Sequence, residues 1–170
     1  MDAIPLDPIA VIPHDPIFNA LTTWPFKDEF VSRILINDIP IRAKFGLAQV
    51  WVYRDPQQNI VGFGTLDFCK ECSQFTDGKP HGYIPLLAVH PEKLGRGHGK
   101  SILNHLVEEA ACMVVRETEL HHSVFLDVYE SSTVAIRLYS RCGFVTLNGP
   151  ILDPANGENF FVMAKRVSPE

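Results

Sequence analysis

A strand-sized apolar run leading into three closely spaced glycines limits the fold of this chain more than any other feature. Residues 83–89 are apolar almost throughout, as in a strand that is covered on both faces. Gly95, Gly97 and Gly99 follow, and apolar residues then recur at helical spacing from 102 to 115. This order predicts a central strand, a tight turn and a long amphipathic helix.

The other patterns predict an α/β fold with a mixed sheet flanked by helices. Prolines and aromatic residues in the first forty positions favour short helices joined by bends. The remaining predicted elements are strands at 47–53 and 60–68 forming an antiparallel hairpin, a strand at 124–129, a helix at 134–142 ended by Gly143, and a second hairpin from 144–147 and 159–165. We expect one domain over residues 1–170.

Charge and hydropathy exclude several classes of function. The chain has a net charge of −5, which disfavours a nucleic-acid-coating role. Its apolar runs are far shorter than the roughly 18 residues of a membrane span, and the first residues lack the pattern of a secretory signal. We therefore expect a cytoplasmic protein with reduced thiols. The pair Cys69 and Cys72 lacks the two further ligands of a zinc site, so no metal is expected.

The segment from Lys93 to Lys100 predicts an anion site. Its glycines leave main-chain N–H groups accessible, and the helix that follows begins with N–H groups that have no partner within the helix. Lys93, Arg96 and Lys100 add positive charge with no acidic residue among them. Two other phosphate-binding patterns fit less well, because the third glycine comes one residue too early for a dinucleotide fingerprint and Leu94 occupies the first glycine position of a P-loop.

Two separated segments resemble the GNAT superfamily of N-acetyltransferases, and the resemblance covers roughly residues 47–165. The stretch Leu94-Gly95-Arg96-Gly97-His98-Gly99 resembles the coenzyme loop of the family, with Leu94 in place of its usual polar residue. The second segment comprises Leu126-Asp127-Val128, Ser132-Thr133-Val134-Ala135, Leu138-Tyr139 and Gly143-Phe144, with Ser132 in place of the usual Asn. A hydroxyl at Ser132 can cap a helix or bond to the coenzyme arm.

The resemblance implies acetyl-CoA as the cofactor. Its pyrophosphate would rest on residues 94–100, namely Leu94, Gly95, Arg96, Gly97, His98, Gly99 and Lys100. Its pantetheine arm would lie along the strand of Leu87, Ala88 and Val89, and Ser132 and Tyr139 would complete the coenzyme site. The family fold further implies that this fourth strand and the fifth, with Leu126, splay apart.

The same resemblance implies a mechanism of direct amine attack. The N–H of Leu87 would polarise the thioester carbonyl, and Tyr139 would donate a proton to the leaving thiolate. The carboxylate that some members use as a base would fall at Tyr83, which is not an acid. Asp67, Asp127, Glu130 and a water chain remain alternative bases.

The amine acceptor is the least determined part of the prediction. In the family, N-terminal helices and the late hairpin form the acceptor cleft, here the residues around Trp24, Phe26, Asp28 and Glu29 and those from Asp153 to Glu158. Their carboxylates suit a cationic small-molecule or peptide amine. Members often pair as homodimers, although no interface is indicated here. A non-catalytic acyl-CoA-binding module and a P-loop nucleotide-binding protein are the rival hypotheses.

Overall fold

The computed structural model describes residues 5–12, 15–25, 34–44 and 48–168. The chain divides into two compact units. The first unit consists of Met1–Asp67 and Leu86–Leu106, and the second of Phe68–Pro85 and Val107–Glu170. The expectation of one domain over residues 1–170 stays a prediction.

The described residues form eight strands and four α-helices. The strands are β1 (Asp7–Val11), β2 (Ala48–Arg54), β3 (Ile60–Cys69), β4 (His81–Tyr83), β5 (Leu87–Val89), β6 (Ser123–Tyr129), β7 (Val145–Leu152) and β8 (Asn159–Arg166). The α-helices are α1 (Pro16–Leu21), α2 (Ile39–Lys44), α3 (His98–Arg116) and α4 (Thr133–Arg141). One π-helical turn (Ile34–Asp38) and two 3-10 turns (Ser73–Phe75 and Pro91–Lys93) complete the list. None of the helices in these ranges is long and apolar enough to cross a membrane.

The first unit is built on an antiparallel sheet. Strand β2 pairs with β1 and β3, and β5 pairs with β3. The predicted hairpin of β2 and β3 is confirmed, apart from Leu47, which lies outside the described residues. Strand β1 corrects the expectation of only short helices near the N-terminus, because the edge of β2 pairs with a segment whose own pattern is too short to indicate a strand.

The predicted strand over residues 83–89 is two short strands in the structure. Ile84 N donates to Phe125 O at 2.9 Å, whereas Leu86 N donates to Thr65 Oγ1 at 3.1 Å. Pro85 between them has no N–H to donate, so the hydrogen-bonded partner changes at this proline. Pro85 thus fits the expectation of a strand that does not pair along its whole length, whereas the change of partner at this proline was not predicted.

The second unit contains a mixed sheet in the order β4, β6, β8, β7. Strands β4 and β6 are parallel, and β8 is antiparallel to both β6 and β7. Strand β7 runs to Leu152, beyond the predicted end at Leu147, with irregular register at Thr146–Ile151. The strand predicted at 124–129 and the helix predicted at 134–142 are confirmed within one or two residues.

Two glycines of β3 allow the first half of α3 to lie close to the sheet. A Cβ at Gly62 would fall 2.5 Å from Ile102 Cδ1, and one at Gly64 would fall 2.7 Å from Leu106 Cδ1. Ile102 and Leu106 are fully buried, as the helical spacing predicts. This contact fixes the beginning of α3, where the predicted anion site lies.

Candidate functional site

The backbone of the β5–α3 loop requires glycine at two positions. Gly95 has φ +75° and Gly97 has φ +84°, in the left-handed region that other residues rarely adopt. No heavy atom lies within 4 Å of a Cβ built at either position. The backbone conformation, and not a lack of space for a side chain, therefore requires glycine at these two positions. Gly99 lies inside the first turn of α3.

The main-chain amides of residues 94–99 form the candidate anion site. Among the described groups, none of these amides donates a hydrogen bond, whereas the next two, from Lys100 and Ser101, donate to Gly97 O at 3.1 and 3.2 Å. Helix α3 begins at His98, so its positive dipole end adds to these donors. The arrangement suits a phosphate or pyrophosphate group.

The three predicted cations of the loop are not equivalent. Arg96 and Lys100 are exposed. Lys93 Nζ instead lies 3.7 Å from Asp55 Oδ2. The lysine therefore ties the loop to the turn between β2 and β3, a role for Asp55 that the sequence pattern did not reveal.

Asp55 is the organising residue of that turn. Its Oδ1 accepts from the N atoms of Gln57 and Asn59 at 3.0 and 2.9 Å. Burial acts to raise the pKa of its carboxyl, but the hydrogen bonds from Asn59, the charge of Lys93 and the bond from Gln57 together lower it. The carboxylate is therefore ionised at neutral pH.

Two other loop side chains differ in exposure. Leu94 is 63% exposed, so no packing requires a leucine there. His98 is buried, and its Nδ1 has no hydrogen-bond partner among the described residues. Burial, and then the charge of Arg96, lowers the pKa of His98, so its ring is neutral at pH 7. These features fit the expected main-chain role of His98.

The register of β5 determines which main-chain groups are accessible. Thr65 N donates to Leu86 O at 2.9 Å and His90 N donates to Val61 O at 2.8 Å. Because hydrogen-bonded pairs alternate in an antiparallel ladder, the N–H and C=O of Ala88 face β3, whereas those of Leu87 and Val89 face the opposite side. The main-chain groups of Leu87 and Val89 are thus turned away from β3, and the binding roles expected of Leu87, Ala88 and Val89 stay predictions.

In the second unit, the predicted proton donor Tyr139 lies on α4. Its ring packs 6.0 Å from that of Phe144, between centroids. Burial raises the pKa of its hydroxyl to about 12, so it stays protonated at neutral pH. Ser132 precedes α4, but its side chain makes no capping hydrogen bond. Its hydroxyl is thus not used by the helix.

The predicted base candidates have different environments. Tyr83 Oη donates to Asp127 Oδ2 at 2.8 Å. Desolvation by the surrounding protein raises the pKa of the Asp127 carboxyl, although the bond from Tyr83 opposes this shift. Asp67 is fully buried and forms an ion pair with Arg42. Glu130 is exposed and accepts from Asn159 Nδ2 at 3.1 Å.

The residues predicted to bind the acceptor are partly described. Trp24 contacts the His90 ring, with 4.8 Å between centroids, and Phe26, Asp28 and Glu29 lie outside the described residues. In the late hairpin, Asp153 Oδ2 accepts from Tyr129 Oη at 2.7 Å. Glu158 Oε2 accepts from Ser131 Oγ at 3.2 Å. These bonds fasten the β7–β8 turn to the end of β6.

The cysteine pair shows no metal site. Within the described ranges, no group of three His, Cys, Asp or Glu side chains is placed to hold a metal ion. Cys69 and Cys72 form no disulfide, and burial raises the pKa of Cys72 to about 12. Cys72 is therefore a protonated thiol at neutral pH.

The predicted site residues are divided between the two units. The loop residues and Leu87, Ala88 and Val89 belong to the first unit, and Ser132 and Tyr139 to the second. The predicted divergence of the strands that contain Leu87 and Leu126 involves both units and stays a prediction.

Comparisons with known proteins identify the family. The chain is similar over its fold to Arabidopsis thaliana NAA60 in complex with a bisubstrate analogue, with 20% identity, a TM-score of 0.68, and coverage of 98% of this chain and 100% of that one. For NAA60 in complex with acetyl-CoA, the identity is 19% and the TM-score is 0.67, with coverage of 96% of this chain and 99% of that one. For Vibrio cholerae spermidine N-acetyltransferase in complex with CoA and spermine, the identity is 18% and the TM-score is 0.64, with coverage of 96% of each chain.

These similarities confirm the predicted α/β fold with a mixed sheet. A search of curated protein sequences finds no significant match. A family model described as "Acetyltransferase (GNAT) family" matches residues 15–144, which is most of the chain. The loop geometry, the fold and this match agree with one another, and the chain belongs to the GNAT family of acetyl-CoA-dependent N-acetyltransferases.

Proposed function

We propose that this protein transfers the acetyl group of acetyl-CoA to a primary amine by direct attack, without a metal. The observation that carries the proposal is the register of β5, which turns the main-chain groups of Leu87 and Val89 away from β3. The amides of residues 94–99 support it, because they offer donors for the coenzyme pyrophosphate. Arg96 and Lys100 add two exposed positive charges.

Leu87 and Tyr139 have complementary roles in this proposal. The N–H of Leu87 donates to the thioester carbonyl oxygen, where negative charge develops as the amine nitrogen attacks the carbonyl carbon. The C–N bond forms, and the C–S bond then breaks. Tyr139, which its raised pKa keeps protonated until then, donates its hydroxyl proton to the leaving thiolate. The extra proton that remains on the attacking nitrogen then passes to the Tyr139 phenolate, which leaves the amide, the CoA thiol and a neutral tyrosine.

We propose Asp127 as the base that removes the amine proton. An alkyl amine of pKa near 10 is mostly protonated at pH 7, and its deprotonation costs roughly 4 kcal/mol. Asp67 is unsuited because Arg42 neutralises it in the core. The raised pKa of Asp127 makes its carboxylate a stronger base than an ordinary aspartate, and Tyr83 orients it.

We propose a cationic amine as the acceptor, either a polyamine or the amine of a peptide. Asp153 and Glu158 in the β7–β8 turn supply negative charge in the hairpin that borders the acceptor in this family. The similar proteins include one crystallised with spermine and one with a bisubstrate analogue. A homodimer is a further proposal that the sequence resemblance supports, and a cytoplasmic location is a further proposal that follows from the sequence pattern alone.

An acceptor panel tests the activity. The purified protein is incubated with acetyl-CoA and either spermidine, spermine, lysine-containing peptides or peptides with free N-termini, and the acetylated product is measured by mass spectrometry alongside thiol release. We expect product with at least one amine class. Calorimetry that shows CoA binding without turnover on any amine would favour the acyl-CoA-binding module. Binding of magnesium-ATP instead of CoA would favour the nucleotide-binding hypothesis.

A further inference from the structure

A polar cleft of about 440 Å³ lies in the second unit, and none of its lining side chains is acidic. Two cationic side chains, two imidazoles and two hydroxyls dominate this lining. The lining residues are Lys79, Thr118, Leu120, His121, His122, Ser123 and Arg166. Such a cluster of hydrogen-bond donors is notable in a chain whose net charge is −5.

Main-chain hydrogen bonds hold the walls of this cleft in place. His121 N donates to Pro80 O at 2.8 Å, next to Lys79, and Val167 N donates to His122 O at 3.0 Å. Ser123 lies opposite Arg166 in the β6–β8 ladder. Three separate segments of the chain are thereby fixed beside one another, so their donors converge without further folding.

The His121 ring makes no hydrogen bond to a described group, and its Nδ1 is buried. Burial, followed by the charge of His122, lowers the pKa of His121. A bound anion would offer this ring a partner and would favour its protonated form. The ring is therefore also a site-specific probe of binding.

The cleft is separate from the groups assigned to the acetyl-transfer reaction in this unit. Ser123 is the first residue of β6 and Tyr129 is the last, so the two ends of the strand are about 20 Å apart. The cleft lies at the first end, whereas Ser132 follows the other, and none of the lining residues belongs to α4.

We propose that this cleft binds the phosphate group of a small ligand. A phosphate has several strong acceptor oxygens, which match the ammonium, guanidinium, imidazole and hydroxyl donors of the lining. The cleft is larger than a phosphate ion, so it has room for an organic group attached to the phosphate. Inorganic phosphate and a phosphate monoester are the two sources to be distinguished.

Nuclear magnetic resonance of the histidine rings tests the proposal on the intact protein. Inorganic phosphate and phenyl phosphate are titrated separately at constant ionic strength, and the ring resonances of His121 and His122 are followed. We expect saturable shifts with both probes. Tighter binding of phenyl phosphate assigns the site to a monoester, and equal binding assigns it to the phosphate group alone. Absent or non-saturating shifts in the wild-type protein would overturn the proposal.

Charge-matched variants test whether the cleft itself binds. The double variant K79A/R166A removes both cations of the lining, and we expect it to bind each probe at least about tenfold more weakly. The double variant K70A/R141A removes the same charge from exposed positions outside the lining, and we expect wild-type affinity. Equal weakening in both variants would indicate a general charge effect and would contradict the proposal.

Discussion

The hydroxyl of Tyr83 donates a hydrogen bond of 2.8 Å to the carboxylate of Asp127. Asp127 is an exposed residue, and this bond lowers the pKa that desolvation by its neighbours raises. If Asp127 is the base, its deprotonated form is required, so activity rises with pH through its pKa. We expect Asp127→Asn to lower kcat/KM by about 10²-fold or more and to abolish the acid limb of the pH profile.

Tyr83→Phe tests the same pair in the other direction. Loss of the hydroxyl removes an interaction that favours the carboxylate, so the pKa of Asp127 rises and the acid limb of kcat/KM moves to higher pH. Rates above that limb should stay close to wild type. Glu130→Gln is the control and should leave the limb in place. An unmoved limb in Tyr83→Phe would remove this pair from the mechanism.

Tyr139→Phe should lower kcat by about 10²-fold while leaving the affinity for CoA nearly unchanged. The reason is that the hydroxyl, whose pKa burial raises to about 12, donates its proton only as the thiolate leaves. Steady-state kinetics with the preferred acceptor and calorimetry with CoA measure the two effects. An unchanged kcat would exclude Tyr139 as the proton donor.

Gly97→Ala should weaken CoA binding beyond its effect on stability. A non-glycine residue at φ +84° raises the free energy of the folded state by about 1–2 kcal/mol. Because the loop relieves this strain by changing its backbone angles, its amides move. Gly78→Ala is a matched control, because Gly78 has φ +77° and equally open surroundings in another loop. Thermal unfolding should show similar losses for both variants, but calorimetry should show weaker CoA binding only for Gly97→Ala.

Ser132→Ala should lower the free energy of unfolding very little, because the Ser132 side chain makes no capping bond. Asp15→Ala provides the contrast, since Asp15 Oδ1 accepts from Ile17 N at 2.8 Å at the start of α1. That variant should lose about 1 kcal/mol in urea unfolding. A weaker affinity of the Ser132→Ala variant for CoA would then indicate a hydrogen bond from Ser132 to the coenzyme. A large loss of stability would contradict the absence of a capping bond from the Ser132 side chain.

Asp55→Asn should destabilise the protein in a pH-dependent manner. The folded pKa of Asp55 lies below its ordinary value of 3.8, so its ionised form stabilises the fold above that value and the contribution is lost as pH falls through the folded pKa. The gap in free energy of unfolding between wild type and variant should therefore be largest at pH 7 and should shrink as the pH falls through the folded pKa. A pH-independent gap would contradict this assignment.

Local patterns in the sequence were sufficient for the long elements. The buried face of α3 and the Val-, Ile- and aromatic-rich composition of β2 and β3 are properties of nearby residues, so the sequence indicated these elements directly. The break at Pro85 depends on distant partners, Phe125 for Ile84 and Thr65 for Leu86, and a local pattern does not contain them. For the same reason the sequence did not indicate strand β1, which forms by pairing with the edge of β2.

The candidate site was predictable to a similar degree. Gly95 and Gly97 indicated the loop because its backbone conformation at these two positions depends on the residues themselves and not on distant partners. The different uses of Leu87 and Ala88 follow from pairing register, and the pairing of Tyr83 with Asp127 follows from the adjacency of β4 and β6. Both are tertiary relations.

The contact between Lys93 and Asp55 makes a hairpin turn far upstream a determinant of where the β5–α3 loop lies. An inherited substitution at Asn59, on the surface of that turn, would disturb Asp55 first and the loop second. The variant protein would lose stability and would also position the loop amides differently, so a change in the loop would originate at a residue outside it.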